Sequence, residues 1–251
     1  MAMTEKYLPM EQSKEFTVEA GRPDSITEGK LRSMKTHGVT RISINPQSMK
    51  EHTLELLGRK HTVEEIREKF MLARTLGFDN INMDLIAGLP EETLEDFKET
   101  LREVEALKPD SITVHTLVIK RASRLRKEQL EQGGEMREED ACIEPMQKEA
   151  EQFCRVHGYE PYYMYRQKNK AHTTRNTNQE NVAYAKPGKE CLYNIFIMEE
   201  LQSILALGSG GSSKIVFPEE NRMERVENVK SVDDYIGRID EMIRRKKESW
   251  R

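Results

Sequence analysis

Cysteine is scarce in this chain, and its spacing excludes two kinds of stabilising centre. The sequence has three cysteines in 251 residues, Cys142, Cys154 and Cys191, and they are far apart. Disulfide frameworks and zinc sites need cysteines in pairs or at short, regular spacings. We therefore interpret the three as ordinary reduced thiols and predict that this chain forms no metal site.

Long apolar runs and an excess of positive charge are also absent. No segment approaches the roughly 18–20 apolar residues of a membrane-spanning helix, and residues 1–6 lack the apolar region of a secretory signal peptide. The 40 Lys and Arg are outnumbered by 44 Asp and Glu, which gives a net charge of −4. The composition therefore predicts a cytoplasmic protein that binds neither membranes nor nucleic acids.

Strand-like and helix-like segments alternate through the first half of the chain. This order requires right-handed crossovers and a parallel sheet, so the predicted fold class is α/β. The pattern does not separate an open sheet from a barrel. Predicted strands are residues 14–20, 40–45, 80–86 and 111–118, and predicted helices are 27–37, 62–76 and 92–107.

The second half of the chain is richer in charge and in polar loops. It contains predicted helices at 122–131 and 138–157, a strand at 159–165 and a loop at 168–181. A glycine-rich turn from Gly208 to Ser213 either connects two elements or binds an anion through its backbone amides. Apolar residues from Val232 to Ile243 have helical spacing and predict an amphipathic helix that docks on the body of the protein.

Polar side chains follow the predicted strands between residues 40 and 90. The segments are RISINPQS at 41–48, LGR at 57–59 and NMDLIAGLP at 82–90. Ligands of parallel sheets bind at the carboxyl ends of the strands, so we expect Gln47, Arg59 and Asp84 to converge. Taken singly, Asp84 also fits a helix cap and Arg59 a surface cation. Gly88 predicts the turn that leads into the next helix.

Together with FTVEA at 16–20, these motifs resemble the radical S-adenosylmethionine (radical SAM) enzymes of the oxygen-independent coproporphyrinogen III dehydrogenase, or oxidase, family. The segments YMYRQKN at 163–169, ENVAYAKPG at 180–188 and RVENVK at 225–230 resemble most closely its branch called HemZ. The resemblance implies two regions. Residues 1–120 would form a partial radical SAM (β/α) barrel of parallel strands, and residues 121–251 an α+β C-terminal extension similar to that of HemN.

The resemblance also implies a cofactor site, although it assigns no catalytic residue to this chain. Glu19, Gln47, Arg59 and Asp84 match family positions that bind the methionyl and ribose parts of S-adenosylmethionine, and Val118 matches a position whose backbone lies near the adenine. The residue types suit this ligand. An acid and a planar guanidinium can pair with the ammonium and the carboxylate, and amide or carboxylate oxygens accept from ribose hydroxyls.

One family motif is missing from the sequence. The family holds a [4Fe–4S] cluster with a C-x3-C-x2-C loop, and this chain has no such loop. We therefore expect that the chain does not ligate the cluster and that it starts at the family's third barrel strand, so that an N-terminal segment is missing. It would be a truncated product or gene fragment, or a domain cut from a longer protein, and whether a companion polypeptide supplies the missing strands stays open. On its own it is expected to be inactive, so whether it is an enzyme stays open.

For an intact relative, the resemblance implies radical decarboxylation of coproporphyrinogen III to protoporphyrinogen IX in haem biosynthesis. Candidate cations for the porphyrinogen carboxylates, or else a solvated basic loop, are Arg166, Lys168, Lys170 and Arg175. The alternative function is that of a haem-binding chaperone. Haem chaperones of this group have a motif similar to H-N-x-x-Y-W at the place where this chain has ENVAYA, residues 180–185. The histidine is replaced, so His172 or Cys191 would have to ligate the iron.

Overall fold

The computed structural model describes residues 1–117, 138–166 and 180–250. The chain forms two compact units, Met1–Glu190 and Cys191–Arg251. The sequence analysis placed a boundary at residue 120 instead. The structure divides later, because two strands beyond that point complete the sheet of the first unit.

The first unit is built on a six-stranded sheet with the order β1-β2-β3-β4-β6-β5. Strands β1 to β4 are parallel, as predicted, whereas β6 is antiparallel to both β4 and β5. The α/β fold class is confirmed. The strands are β1 (Thr17–Gly21), β2 (Arg41–Ile44), β3 (Ile81–Ala87), β4 (Ser111–Thr116), β5 (Glu160–Arg166) and β6 (Glu180–Ala185).

Helices connect the parallel strands, and threonine caps fix where the main ones begin. They are α1 (Ala2–Tyr7), α2 (Glu28–Thr36), α3 (Glu51–Leu56), α4 (Val63–Thr75), α5 (Leu94–Leu107) and α6 (Glu138–Val156). The hydroxyls of Thr27, Thr62 and Thr93 accept hydrogen bonds from backbone N–H groups in the first turns of α2, α4 and α5. Helix α5 starts later than predicted because Thr93 is its cap. No helix in the described ranges has the length and apolar character needed to cross a membrane.

The apolar face of the sheet forms the core. Ile42, Met83, Leu85 and Ile112 point to this face and have 0% exposure. They belong to one cluster with buried side chains of the helices, Leu31, Ile66, Phe70, Phe97, Leu101 and Met146. Removal of apolar surface from water is the main stabilising contribution to such a layer.

Gly88 lets α6 approach the end of β3. Its φ is +81°, and a Cβ atom at this position would lie 2.6 Å from Ile143 Cγ1. Its N–H donates a hydrogen bond to Met146 Sδ at 3.3 Å. The predicted turn is present, and the close contact with α6 adds a second reason for glycine here.

The second unit contains a hairpin that the sequence analysis did not predict. Strands β7 (Ser212–Phe217) and β8 (Arg222–Glu227) pair antiparallel. The expected single C-terminal helix is two helices, α8 (Val232–Gly237) and α9 (Ile239–Ser249), which follow α7 (Leu192–Glu199). Met242 of α9 is buried, whereas Val232, Ile236 and Ile243 are exposed.

Candidate functional site

The second face of the sheet carries polar side chains in neighbouring strands. Glu19 lies opposite Ser43, Ser43 opposite Asn82, and Asn82 opposite Ser111. Paired residues of adjacent strands share a face, and so do residues two apart in one strand. We call this surface the polar face. Its members on β1 to β4 are Glu19, Arg41, Ser43, Asn82, Asp84, Ser111, Thr113 and His115.

Glu19 and Asp84 lie on the polar face. The sequence analysis expected Asp84 to follow its strand, whereas the structure places it inside β3. Glu19 is the third residue of β1, and Asp84 is the fourth residue of β3. Glu19 Oε2 accepts a hydrogen bond from Ser43 Oγ at 2.6 Å, and the Glu19 side chain is exposed. Among the described residues its Oε1 has no partner. A shared face, rather than a shared strand end, relates the two carboxylates.

The carboxylate of Asp84 has two different surroundings. Its Oδ1 accepts a hydrogen bond from Asn82 Nδ2 at 2.6 Å. Its Oδ2 lies 3.6 Å from His115 Nε2, which is beyond hydrogen-bonding distance. The side chains of Asp84 and His115 are 18% and 35% exposed. Oδ2 is therefore the oxygen that an incoming donor can reach.

Gln47 is joined to β3 by its backbone. Its N–H donates to Asp84 O, and its carbonyl accepts from Ile86 N, both at 2.9 Å. These bonds hold Gln47 at φ +70°, a conformation that is strained for a residue other than glycine. Within the described part of the chain, the Gln47 side-chain amide has no hydrogen-bond partner. Gln47 is 9% exposed, and its proximity to Asp84 is through the backbone.

A buried acid supports the segment that follows Gln47. Ser48 Oγ donates a hydrogen bond to Glu92 Oε1, and Glu92 is only 3% exposed. Burial raises the pKa of the Glu92 carboxyl, which favours its neutral form. This contact ties the end of β2 to the start of α5, so it helps to fix the position of Gln47.

Arg59 is a partly buried cation beside the loop that follows β1. Its nearest charged neighbours are Arg22 and Asp24, but Asp24 is already paired with Arg22 at 2.8 Å. Burial, and then repulsion by Arg22, lower the pKa of Arg59. No carboxylate among the described residues pairs with Arg59, so its guanidinium is available for an anionic group.

His61 lies in the same loop region but is not placed to bind a ligand. Its side chain has 0% exposure and lies 3.8 Å from Asp24 Oδ1. Burial lowers the pKa of His61, so the ring is favoured in its neutral form. Its ring nitrogens have no hydrogen-bond partners among the described residues. It is a buried neutral ring next to the Arg22–Asp24 pair.

Some predicted contacts lie outside the described residues. These are Val118, the loop cations Lys168, Lys170 and Arg175, and His172, and nothing is described of the Arg166 side chain. The structure therefore places Glu19 and Asp84 on the polar face, joins Gln47 to Asp84 through its backbone, and puts Arg59 near the loop after β1. The expected adenine contact stays a prediction.

The sequence analysis missed Asn82 and His115. Both alternate with buried apolar residues, in the order Asn82, Met83, Asp84 in β3 and Thr113, Val114, His115 in β4. Parallel strands that are covered on both faces are usually apolar throughout. The period-two pattern was therefore a readable signal of a polar face, and it identifies more of that face than strand ends do.

Known proteins are similar to this chain in sequence and in fold. Residues 4–104 match the model of the radical SAM superfamily. These residues belong to the radical SAM superfamily. The oxygen-independent coproporphyrinogen-III oxidase-like protein HemZ of Bacillus subtilis (strain 168) is 44% identical over 238 residues, which are 95% of this chain and 46% of HemZ. The resemblance found in the sequence is confirmed.

Two further relatives extend the comparison. The haem chaperone HemW of Escherichia coli (strain K12) is 28% identical over 84% of this chain and 50% of its own length. The solved structure of coproporphyrinogen III oxidase (HemN) from Escherichia coli, described as a radical SAM enzyme, superposes with a TM-score of 0.64 at 20% identity, over 90% of this chain and 49% of HemN. The fold is thus shared, and this chain spans about half the length of the curated relatives it matches.

The two cysteines whose side chains the structure describes, Cys154 and Cys191, are not arranged to hold an iron–sulfur cluster. Cys154 has 0% exposure, and burial raises its pKa to about 12, so it is a core thiol. Cys191 is also buried. In the part of the chain that the structure describes, no three His, Cys, Asp or Glu side chains are grouped to hold a metal ion. We therefore derive no reaction step through a cluster held by these residues.

The backbone groups of the glycine-rich turn are hydrogen-bonded to other residues of the second unit. The N–H of Gly208 donates to Tyr235 OH at 3.1 Å, and the N–H of Gly210 donates to Val229 O at 2.7 Å. Asn228 Nδ2 donates to Gly208 O at 2.6 Å. Because these groups are already paired, the turn is a structural connection and not an anion site.

Proposed function

We propose that the polar face binds S-adenosylmethionine and that this chain contributes the site to an oxygen-independent coproporphyrinogen III dehydrogenase. The observation that carries the proposal is the set of open polar groups in a radical SAM domain. They are Glu19 Oε1, the Gln47 amide, Asp84 Oδ2 and the Arg59 guanidinium, each without a hydrogen-bond partner at that group among the described residues.

The open groups match the functional groups of the ligand. Arg59 is suited to donate to the methionyl carboxylate, and Glu19 to accept from the ammonium. Gln47 and Asp84 are suited to accept from the ribose hydroxyls. When bound and cleaved, S-adenosylmethionine supplies the hydrogen-abstracting species of this superfamily. The part of this chain is to bind the cofactor and orient its sulfonium.

Further strands and a cluster loop are part of the proposal. β1 lies at the edge of the sheet, so one side of its backbone has no strand partner among the described residues. Open edges favour pairing with another strand or aggregation. We propose that a preceding segment or a companion polypeptide pairs with β1 and supplies the cluster. Light scattering should show less aggregation when the N-terminal half of the HemZ relative is fused to this chain.

The cofactor test is calorimetry on the chain and on that fusion. The open groups offer hydrogen bonds worth roughly 1–3 kcal/mol each, and immobilising the ligand costs a comparable amount. We expect millimolar affinity or weaker for the chain alone and recovered affinity in the fusion. Anaerobic turnover of coproporphyrinogen III to protoporphyrinogen IX by the fusion would support the activity. A fusion that holds a cluster and fails to bind the cofactor would reject the site.

A haem-carrying function is the second candidate, because the HemW relatives are named haem chaperones. Haem iron needs an axial ligand such as histidine or cysteine. On the polar face that ligand would be His115, and the sequence offers His172 and Cys191 as others. Titration with hemin, followed at the Soret band, separates the two functions. A Soret change that saturates at one equivalent of hemin, and that is lost in His115→Ala, would favour the haem carrier. A titration with no Soret change would favour the enzyme.

A further inference from the structure

A chain of hydrogen bonds crosses the polar face from Arg41 to Asp84. Arg41 Nη2 donates to Ser111 Oγ at 3.2 Å, and Ser111 Oγ donates to Asn82 Oδ1 at 2.9 Å. Thr113 Oγ1 donates to the same Asn82 oxygen at 3.0 Å. Asn82 Nδ2 then donates to Asp84 Oδ1 at 2.6 Å. Arg41, Asn82, Ser111 and Thr113 are buried.

The chemistry of the end groups fixes the direction of every bond in this chain. A guanidinium only donates, so Ser111 Oγ must accept from Arg41 and use its own proton toward Asn82. A carboxylate only accepts, so Asp84 Oδ1 must accept the hydrogen bond that the Asn82 amide N–H donates. The amide oxygen and nitrogen of Asn82 are therefore assigned by their partners, and the reversed amide would lose bonds at both ends.

We propose that Asn82 is the positioning residue of the site, because it holds Asp84 Oδ1 and leaves Asp84 Oδ2 as the single oxygen that accepts from the ligand. The inference rests on the proposed cofactor site. A donor on a rigid strand fixes a carboxylate more precisely than water does, and a fixed acceptor binds a hydroxyl with less loss of freedom. His115, 3.6 Å from Oδ2, leaves that oxygen unpaired until the ligand arrives.

Substitution Asn82→Asp tests the arrangement without any ligand. The variant places two carboxylates side by side, and like charges at this distance cannot both ionise easily. One of them would bind its proton more tightly in the folded state than in the unfolded state, so stability should fall as pH rises. We expect the loss of Tm relative to wild type to be larger at pH 8 than at pH 5.

The pH comparison must account for neighbouring titratable groups and needs a matched control variant. The titratable or charged groups that face position 82 on the polar face are Glu19, Arg41, Asp84 and His115. The comparison is repeated in a His115→Gln background to remove the histidine titration. Asn221→Asp makes the same change at an exposed position outside the hydrogen-bond chain, and its loss of Tm should be the same at both pH values.

The double variant Asn82→Asp with Asp84→Asn separates positioning from simple packing. It exchanges donor and acceptor, because the new carboxylate at position 82 can accept from Ser111 and Thr113, while the new amide at position 84 donates back to it. We expect the pH-dependent loss of Tm to disappear. A pH-independent loss in Asn82→Asp, or one that the second substitution does not relieve, would overturn the proposed hydrogen-bond chain.

Cofactor affinity supplies the second readout, measured by calorimetry on the fusion with S-adenosylmethionine. Asn82→Ala should weaken binding about tenfold, and the exchanged double variant should remain weak despite its restored stability. Unchanged affinity in Asn82→Ala with an intact wild-type site would overturn the positioning role. A wild type that does not bind would reject the proposed function, while the ligand-free pH comparison still decides whether Asn82 fixes Asp84.

Discussion

The two faces of the sheet differ in what their side chains leave unsatisfied. On the apolar face, Met83, Leu85 and Ile112 have 0% exposure and belong to the apolar core cluster. On the polar face, Asp84 and His115 are partly exposed, and one carboxylate oxygen has no donor among the described residues. Alternate residues of the same strand therefore serve the core and the proposed ligand site.

This alternation separates stability from binding along the sequence of β3. A residue that faces the helices contributes buried area, and its neighbour contributes polar groups that are open to a ligand. Stabilising groups are satisfied in the folded state, whereas binding groups keep unpaired capacity. Substitutions one residue apart should consequently have opposite profiles in unfolding and in binding experiments.

The largest expected effect is on the apolar face. Leu85→Ala should lower the free energy of unfolding by about 2–5 kcal/mol, because the truncated side chain leaves a cavity in a packed core. Urea unfolding followed by circular dichroism measures it. Ile86→Ala is the matched control on the polar face, where the side chain is partly exposed, and it should cost less. Equal costs would mean that the two faces are not distinct.

Next comes the loss of binding on the polar face. In the fusion, Asp84→Ala or Gln47→Ala should weaken S-adenosylmethionine binding by about tenfold or more, the equivalent of about 1.4 kcal/mol. The free energy of unfolding should change less than in Leu85→Ala. Calorimetry gives the affinity. Full affinity in both variants would show that these residues are structural.

A smaller effect concerns the buried acid behind Gln47. The folded-state pKa of Glu92 is raised by burial, so its contribution to stability falls as pH rises from the ordinary pKa of a glutamate through the raised one. Glu92→Gln removes the ionisation and should raise Tm at pH 8, with little change at pH 4. The exposed Glu68→Gln is the control. A pH-independent difference would place the effect in packing.

The smallest expected signal is that of an iron–sulfur cluster on this chain. Anaerobic reconstitution with iron and sulfide should leave no stable [4Fe–4S] absorption, because Cys154 is a buried core thiol and the sequence has no close cysteine motif. A stoichiometric cluster that disappears when Cys142, Cys154 and Cys191 are all changed to serine would contradict this account.

Sequence reasoning found the parallel strands and their connecting helices because both patterns are local. The predicted helices 27–37 and 62–76 begin at Thr27 and Thr62, which the structure shows to be the N-caps of α2 and α4. The strand β6 was missed because the segment before it is polar, and its register depends on pairing with β4 and β5. Antiparallel additions to a sheet are decided by tertiary contacts rather than by local propensity.

The site was only partly readable from the sequence. Gln47 and Asp84 were singled out as neighbours, and a backbone hydrogen bond joins them. Asn82 and His115 were not singled out, because the prediction considered only residues at strand ends and not the alternation of polar and apolar residues within β3 and β4. The bond between Asn82 and Asp84 depends on side-chain directions that only the register of four strands defines.

Nuclear magnetic resonance of the chain itself tests the central claim that the polar face is the cofactor site. Titration with millimolar S-adenosylmethionine should shift the side-chain amide signals of Gln47 and Asn82 and the imidazole signals of His115. Signals of the glycine-rich turn, Gly208 to Gly211, should stay in place. Shifts confined to the second unit, or signals that move equally in Asp84→Ala, would contradict the account.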